Sequence, residues 1–221
     1  LPDNPFWATR FSQAGLDTVA AALERIEAAD GVGGLPLTTK ADLVADQEAS
    51  PPFGAIATYA PEQYVTHHQT SGTTGRPLTI LDTEESWNWW GEYWQYVYAA
   101  AGVTARDRIC FAFSFGPFIG FWSAYAAARR LGAMTIPGGG LDSKARLQLL
   151  RNTQATVLLC TPTYALRLAE VARADGLSIR DSAIRVSIHA GEPGASIPSV
   201  RSRIEESWGA WSRAVLWRGD R

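Results

Sequence analysis

From residue 108 onwards, short apolar runs alternate with stretches of helical periodicity. The strands predicted from these runs are 108–113, 133–136, 156–160 and 184–188. The helices predicted between and after them are 118–131, 143–152, 162–174 and 196–208. Near-continuous apolar strands separated by helices are typical of a parallel sheet that is covered on both faces. We therefore predict an α/β fold with a largely parallel sheet and flanking helices.

Composition and charge exclude several classes of protein. The 221 residues are 46% hydrophobic and 19% charged, with a formal net charge of -2. No run approaches the roughly 20 apolar residues that cross a bilayer, and no long basic run offers a nucleic-acid surface. Cys110 and Cys160 fall inside predicted strands, which indicates buried, reduced thiols. We expect a cytoplasmic protein without membrane or nucleic-acid partners.

A run of hydroxyl and glycine residues at 68–77 lies between two short predicted strands. It reads His-Gln-Thr-Ser-Gly-Thr-Thr-Gly-Arg-Pro. Glycine permits positive φ, so successive backbone N–H groups can turn inward around an anion, while hydroxyls and a guanidinium add donors and charge. The alternative is an ordinary turn between two strands. We predict a phosphate-binding loop whose candidate residues are Thr70, Ser71, Gly72, Thr73, Thr74, Gly75 and Arg76.

This run does not follow the Walker pattern, because Gly72 and Gly75 are too close together and no Lys-Ser/Thr pair follows. A phosphotransferase or NTPase is therefore disfavoured. His67 and His68 precede the run, and neighbouring residues of a strand point to opposite faces. We do not expect these two side chains to bind one metal ion together.

Further loops follow the predicted strands, where ligands of parallel sheets gather. The segment 114–120 is aromatic and glycine-rich, and Phe115 and Phe118 offer a flat apolar wall for a ligand. Ordinary packing at a strand-to-helix corner is an equal alternative. The role of the glycine-rich segment 137–140 is open. A third loop, 189–194, reads His-Ala-Gly-Glu-Pro-Gly.

The run at 68–77 resembles the phosphate-loop signature of the adenylate-forming superfamily, which includes acyl-CoA synthetases, peptide-synthetase adenylation domains and luciferases. Arg76 stands where lysine is more usual. Phrases at 35–40, 52–54 and 191–193 resemble those of phenylacetate-type acyl-CoA ligases. The chain is identified as a member of the phenylacetate-CoA ligase-like branch, which implies an incomplete N-terminal domain of the adenylate-forming fold.

The resemblance implies AMP-forming ligation of a small acyl or aryl carboxylic acid to CoA, with ATP, Mg²⁺ and CoA taking part. It implies that the phosphate loop holds the β- and γ-phosphates and that Phe115 and Phe118 line the acyl pocket. It assigns no catalytic residue and no metal ligand within the chain. The residues that it places against adenine are Ala190, Gly191, Glu192 and Pro193.

The resemblance also implies later motifs that the chain does not contain, namely a metal-binding glutamate, a ribose-binding aspartate and a small C-terminal domain with a catalytic lysine. We predict an N-terminal helical and loop segment at 1–60, an α/β binding portion at 61–210, an atypical tail at 211–221 and no C-terminal domain. We expect a truncated polypeptide that is weak or inactive alone. The alternative is a non-catalytic module that binds a nucleotide or self-associates.

An aromatic-rich helix is predicted at 82–101. Trp90, Trp94 and Val97 share one side at helical spacing, which predicts a core-packing face. The remaining aromatic residues are predicted to cover a subunit or domain interface, with substrate binding as the alternative. We therefore expect a homodimer, formed either through this helix or through an exposed sheet edge.

Overall fold

The computed structural model describes residues 4–29, 31–70, 72 and 75–214. The chain divides into two compact units, Leu1–Glu85 and Ser86–Arg221. We predicted a first boundary at residue 60, before the strands that flank the phosphate loop. These strands belong to the first unit because the Gln47 side chain bonds to both backbone groups of Thr79, donating to its oxygen at 2.8 Å and accepting from its nitrogen at 2.9 Å.

The first unit contains helices and an antiparallel hairpin. Its elements are α1 (Pro5–Gln13), α2 (Val19–Ala28), α3 (Lys40–Ala49), β1 (Tyr64–Gln69) and β2 (Thr79–Thr83). Side-chain caps begin the helices: Thr18 caps α2 and Thr39 caps α3, where Asp42 completes a capping box. Helix α1 was not predicted, although Asn4 accepts a hydrogen bond from the Trp7 nitrogen at 3.1 Å.

The second unit is built around a parallel sheet, which confirms the predicted fold class. Its helices are α4 (Glu84–Ala100), α5 (Ile119–Leu131), α6 (Ser143–Asn152), α7 (Pro162–Ala174) and α8 (Pro198–Trp208), of which α4 begins just before the boundary. Its strands are β3 (Arg108–Phe111), β4 (Met134–Pro137), β5 (Val157–Cys160), β6 (Val186–His189) and β7 (Trp211–Ala214). The strand order is β4-β3-β5-β6-β7, and every pairing is parallel.

Strand β7 lies at the start of the segment 211–221, which we predicted as an atypical tail. Trp211–Ala214 pair with β6 in parallel register. The Trp211 nitrogen donates to the Arg185 oxygen at 3.2 Å, and the Ser212 nitrogen donates to the Glu205 carboxylate at 3.1 Å. These bonds form a strand from a run with little apolar character. Residues 215–221 lie outside the described part of the chain.

Both faces of the sheet are covered, as its alternating side chains show. Ile109 and Phe111 pack on α4 and α5, whereas Cys110 and Leu158 pack on α6, α7 and α8. Cys110 and Cys160 are buried and free, as predicted. Burial raises the pKa of the Cys110 thiol to about 12 and raises that of Cys160 as well. Both thiols are therefore protonated at neutral pH and unsuited to nucleophilic attack.

Helix α4 buries the predicted face only in part. Trp94 is buried and Val97 packs against the core, whereas Trp90 is 37% exposed. Gly91 and Tyr98 are buried as well. The Trp94 indole donates to the Ser123 hydroxyl at 2.8 Å, and the Tyr98 hydroxyl donates to a backbone oxygen of α5 at 2.6 Å. The outer face exposes Trp89, Trp90, Tyr93 and Tyr96. Across the described residues, we find no helix with the length and apolar character needed to span a membrane.

Candidate functional site

The predicted phosphate loop lies at the tip of the β1–β2 hairpin in the first unit. Thr70 closes its base, because its nitrogen donates to the Leu78 oxygen at 3.0 Å and its hydroxyl oxygen accepts from the Leu78 nitrogen at 2.9 Å. His67 is exposed and His68 is buried, so the two imidazoles lie on opposite faces of β1. The Thr70 hydroxyl keeps its own proton for a further acceptor.

The loop turns at Gly72, whose φ is 66°, in the region that favours glycine. A Cβ at Gly72 would lie 2.9 Å from the Pro77 Cγ and 3.0 Å from the Gly75 oxygen, so the turn has no room for a side chain. The Gly75 nitrogen donates to the Gly72 oxygen at 3.0 Å and closes the turn. The predicted residues Ser71, Thr73 and Thr74 lie outside the described residues.

The cation of the loop already has a partner. A guanidinium nitrogen of Arg76 lies 3.6 Å from a carboxylate oxygen of Glu48 on α3, and both side chains are more than half exposed. Ion pairs of this kind contribute little, about 0–1 kcal/mol, because water screens them. A phosphate group would therefore compete for Arg76 at small cost.

The strand order of the second unit reverses direction at β3, beside the carboxyl ends of the strands. From β3 the chain passes first to β4 on one side and later to β5 on the other. Ligands of open parallel sheets bind outside the carboxyl ends of the strands at such a switch in strand order. The loops after β3, β4, β5 and β6 all leave this edge, and they include the predicted acyl and adenine residues.

The two predicted acyl-pocket residues have different surroundings. The Phe115 ring is partly buried and packs against other aromatic rings, with centroid distances of 4.8 Å to Phe113, 4.7 Å to Trp122 and 5.5 Å to Tyr125. Phe118 is 50% exposed. Phe115 thus has a structural role at the strand-to-helix corner, and only its remaining exposed surface can contact a ligand.

The predicted adenine residues follow β6. Gly191 has a φ of 90°, and a Cβ there would lie 3.4 Å from the Thr161 side chain, which begins α7. The Glu192 carboxylate accepts hydrogen bonds from the Thr163 nitrogen at 2.7 Å and from its hydroxyl at 2.5 Å. Glu192 therefore ties the loop to the first turn of α7, while Gly191 and Pro193 are exposed.

His189 immediately precedes this loop and is a buried residue that the sequence analysis did not single out. Its Nδ1–H donates to the Cys160 oxygen at 3.2 Å, and its Nε2 accepts from the Ser187 hydroxyl at 2.8 Å. Burial lowers the pKa of this imidazole to about 4, so it is neutral at pH 7. Ser187 lies two residues earlier on the same strand, whereas Cys160 becomes a neighbour only through the pairing of β5 with β6, so the sequence alone did not distinguish this histidine.

Cavities and metal-binding clusters do not add to this site. Two cavities, of about 420 and 390 Å³, flank the segment 177–182, and their linings contain none of the predicted site residues. Within the described residues, no three His, Cys, Asp or Glu side chains are grouped to hold a metal ion. The implied Mg²⁺ therefore has no support from these side chains.

Comparison with known proteins identifies relatives. No protein-family model matches the chain. It is 30% identical over 208 residues to phenylacetate-coenzyme A ligase of Pseudomonas putida, covering 94% of this chain and 45% of that protein. It is 34% identical over 175 residues to the Escherichia coli K12 phenylacetate-coenzyme A ligase, covering 79% of this chain and 38% of that protein.

Among solved structures, an open conformation of 2-hydroxyisobutyryl-CoA ligase in complex with 2-HIB-AMP and CoA matches with a TM-score of 0.86 and 31% identity. The match covers 96% of this chain and 45% of that one. The chain thus spans less than half the length of these relatives. Its fold is that of the adenylate-forming CoA ligases. Within that superfamily, the chain belongs to the phenylacetate-CoA ligase-like branch.

Proposed function

We propose that this chain supplies the nucleotide- and acid-binding part of an AMP-forming ligase that joins a small acyl or aryl acid to CoA. The observation that carries the proposal is that the predicted acyl and adenine segments both follow the carboxyl ends of strands in one parallel sheet, beside its switch in strand order. The names of the relatives point to the same chemistry.

In the proposed reaction, a carboxylate oxygen of the acid attacks the α-phosphorus of ATP. The bond from this phosphorus to the bridging oxygen breaks, and pyrophosphate leaves. The sulfur of CoA then attacks the acyl carbon, the bond from that carbon to AMP breaks, and the thiol proton passes to solvent. This chemistry depends mainly on positioning and on stabilising charge.

The residues of the chain have separate proposed roles. The loop from Thr70 to Arg76 holds the β- and γ-phosphates through backbone N–H groups, hydroxyls and the guanidinium. Ala190 to Pro193 form a shelf for adenine, on which Glu192 acts by fixing the backbone. Phe115 and Phe118 contact the side chain of the acid. Mg²⁺, when bound, would neutralise phosphate charge.

We propose that the chain alone is weak or inactive, because the groups implied by the resemblance for metal, ribose and catalysis act as a unit with those present. The alternative function is a non-catalytic module that binds a nucleotide or self-associates. The exposed aromatic residues of α4 favour a dimer through that helix.

We also propose a cytoplasmic location, which fits the two free buried cysteines.

Calorimetric titration of the chain with AMP and with phenylacetyl-sulfamoyladenosine, a stable mimic of an acyl-adenylate, tests the proposal. Glu192→Ala removes the bonds to Thr163 and should weaken AMP binding about tenfold, which corresponds to about 1.4 kcal/mol. Glu192→Gln keeps an oxygen acceptor and should weaken it less.

Absence of binding of both ligands by the unaltered chain would refute the nucleotide and acid site. Formation of phenylacetyl-CoA by the chain alone, from ATP, CoA and phenylacetate, would refute the proposed inactivity. Binding without turnover agrees with the proposal and also with the non-catalytic alternative. Adding a separately expressed C-terminal portion of a relative distinguishes the two possibilities. Formation of phenylacetyl-CoA by the mixture is expected if the chain is part of a ligase, and none is expected if it is a non-catalytic module.

A further inference from the structure

The loop between β4 and α6 has no role in the proposed function, yet it packs directly beneath the predicted acyl wall. The Gly138 nitrogen donates to the Phe111 oxygen at 2.9 Å, just where β3 ends. A Cβ at Gly138 would lie 2.9 Å from that same oxygen. Only glycine therefore allows the two backbones to come this close.

The next residue meets the acyl wall itself. A Cβ at Gly139 would lie 2.7 Å from the Cδ2 atom of Phe115, closer than carbon atoms approach without a shift. The Phe115 ring is also held by Phe113 and Trp122, at centroid distances of 4.8 and 4.7 Å. The absence of a side chain at Gly139 thus leaves the space that the Phe115 ring occupies next to the carboxyl end of β3.

A buried arginine holds the loop in this place. Arg146 on α6 is only 7% exposed, and its Nε donates to the Gly138 oxygen at 2.7 Å. Its guanidinium carbon lies 4.9 Å from the centre of the Tyr164 ring at the start of α7. The Tyr164 hydroxyl in turn lies 3.1 Å from the Ser143 hydroxyl at the start of α6. The guanidinium therefore links one loop with two helices.

Burying the charged guanidinium of Arg146 costs free energy, which a residue that only fills space would avoid. Within the described residues it makes no ion pair with a carboxylate, so its burial is offset by one hydrogen bond and the aromatic contact. An apolar side chain of similar volume would fill such a site at lower cost. The planar guanidinium instead gives a fixed direction to the bond with Gly138.

We propose that the β4–α6 loop is the floor of the acid-binding site, that Gly139 sets the position of Phe115, and that Arg146 is a positioning residue for this loop. This inference rests on the proposed function and deepens it. In this arrangement the exposed part of the Phe115 ring contacts the side chain of the acid, and the loop beneath it decides where that ring surface lies.

The test measures two dissociation constants, for AMP and for phenylacetyl-sulfamoyladenosine, in Gly139→Ala and Arg146→Lys. Each variant should weaken the acyl analogue about tenfold and AMP less than about twofold, because only the acyl part reaches the floor. Two controls should change neither value. Gly33→Ala adds a methyl group with nothing within 4 Å, and Arg151→Lys alters an exposed arginine of the same helix.

A second measurement needs no ligand. Trp122 contacts Phe115, so the ¹⁹F resonance of 5-fluorotryptophan at this position, assigned through Trp122→Phe, reports on the ring. Gly139→Ala and Arg146→Lys should shift this resonance, and Gly33→Ala should not. Circular dichroism melting confirms that each variant is folded.

The outcomes separate the two proposals. The inference is contradicted if the variants weaken the binding of AMP and of the acyl analogue equally, if they weaken neither, or if the Trp122 resonance does not shift. In each of these cases the proposed function still stands. If the unaltered chain binds neither ligand, the proposed function fails and the inference fails with it. Selective loss of the acyl analogue together with a shifted resonance supports the inference.

Discussion

Protonation of His189 should destabilise the second unit as the pH falls. The imidazole is 1% exposed, donates to the Cys160 oxygen and accepts from the Ser187 hydroxyl. Burial lowers its pKa from 6.5 to about 4 because the charged form loses its hydration. Partial compensation comes from the Cys160 oxygen and the charge of Glu192, which raise the pKa.

The sign and the size of this loss of stability follow from the linkage between proton binding and folding. Since the folded pKa is depressed, the unfolded chain binds the proton more tightly, and the contribution of His189 to stability is complete above pH 6.5 and lost as the pH falls towards 4. The full difference corresponds to about 3 kcal/mol, and about 2 kcal/mol of it should be lost between pH 7.5 and pH 5.0. Burial lowers the pKa of His68 in the first unit too, so the two histidines act in the same direction.

Urea unfolding at several pH values, followed by tryptophan fluorescence, measures this loss. His189→Gln, which cannot take up the proton, should flatten the dependence by about 2 kcal/mol between pH 7.5 and 5.0. An NMR titration of the imidazole carbon resonances in the unaltered chain gives an independent test. A midpoint for His189 at 6 or above, or an unchanged pH dependence in the variant, would refute the reasoning.

Two further predictions concern a buried carboxylate and the phosphate loop. Burial alone would raise the pKa of Asp107, but hydrogen bonds from Arg185, Thr104 and Thr156 outweigh it and lower the pKa. Asp107→Asn should therefore reduce the free energy of unfolding by about 2 kcal/mol at pH 7, measured by urea unfolding, and by less at pH values below the lowered pKa of the folded protein, where the native carboxylate is protonated. Gly72→Ala should weaken ATP binding about tenfold in calorimetry, because a methyl group would meet Pro77 and a left-handed φ is strained for alanine.

Each of these changes has a matched control. Glu170→Gln removes a carboxylate from an exposed pair with Arg167, so it should cost less than about 0.5 kcal/mol. Equal losses for Glu170→Gln and Asp107→Asn would contradict the network argument. Gly33→Ala should leave ATP binding unchanged. If Gly72→Ala binds ATP as well as the unaltered chain, the turn at 72–75 does not hold phosphate.

Local signals predicted the elements that carry clear boundaries. The sequence predicted α6 and α7 at the bounds that the structure shows, because Asp142 and Thr161 cap their first turns and Pro162 fits a helix start. The glycine run was correctly predicted at the tip of two strands. Helix α1 was missed although Asn4 and Pro5 give the same kind of start signal.

Features that depend on distant partners were not predictable. Helical spacing cannot select among adjacent aromatic faces of α4, and Tyr98 is buried because its hydroxyl reaches α5. Glu192 and Thr163 are far apart in sequence and meet only because β5 and β6 pair. Arg146 gave no signal, since an arginine on a polar helix is usually exposed. Strand β7 depends on hydrogen bonds with its neighbours.

The central place of β3 also has a consequence during translation. Its partner β4 follows soon in the chain, but the strand on its other side, β5, is complete only at Cys160, about 50 residues after Phe111. At about 5–20 residues per second, a nascent chain carries one unpaired, apolar edge of β3 for roughly 3–10 s. Unpaired edges of this kind pair readily with other chains. Ribosomes that follow one another on the same message therefore bring such edges together during this interval, and a chaperone bound near the exit tunnel would keep them apart.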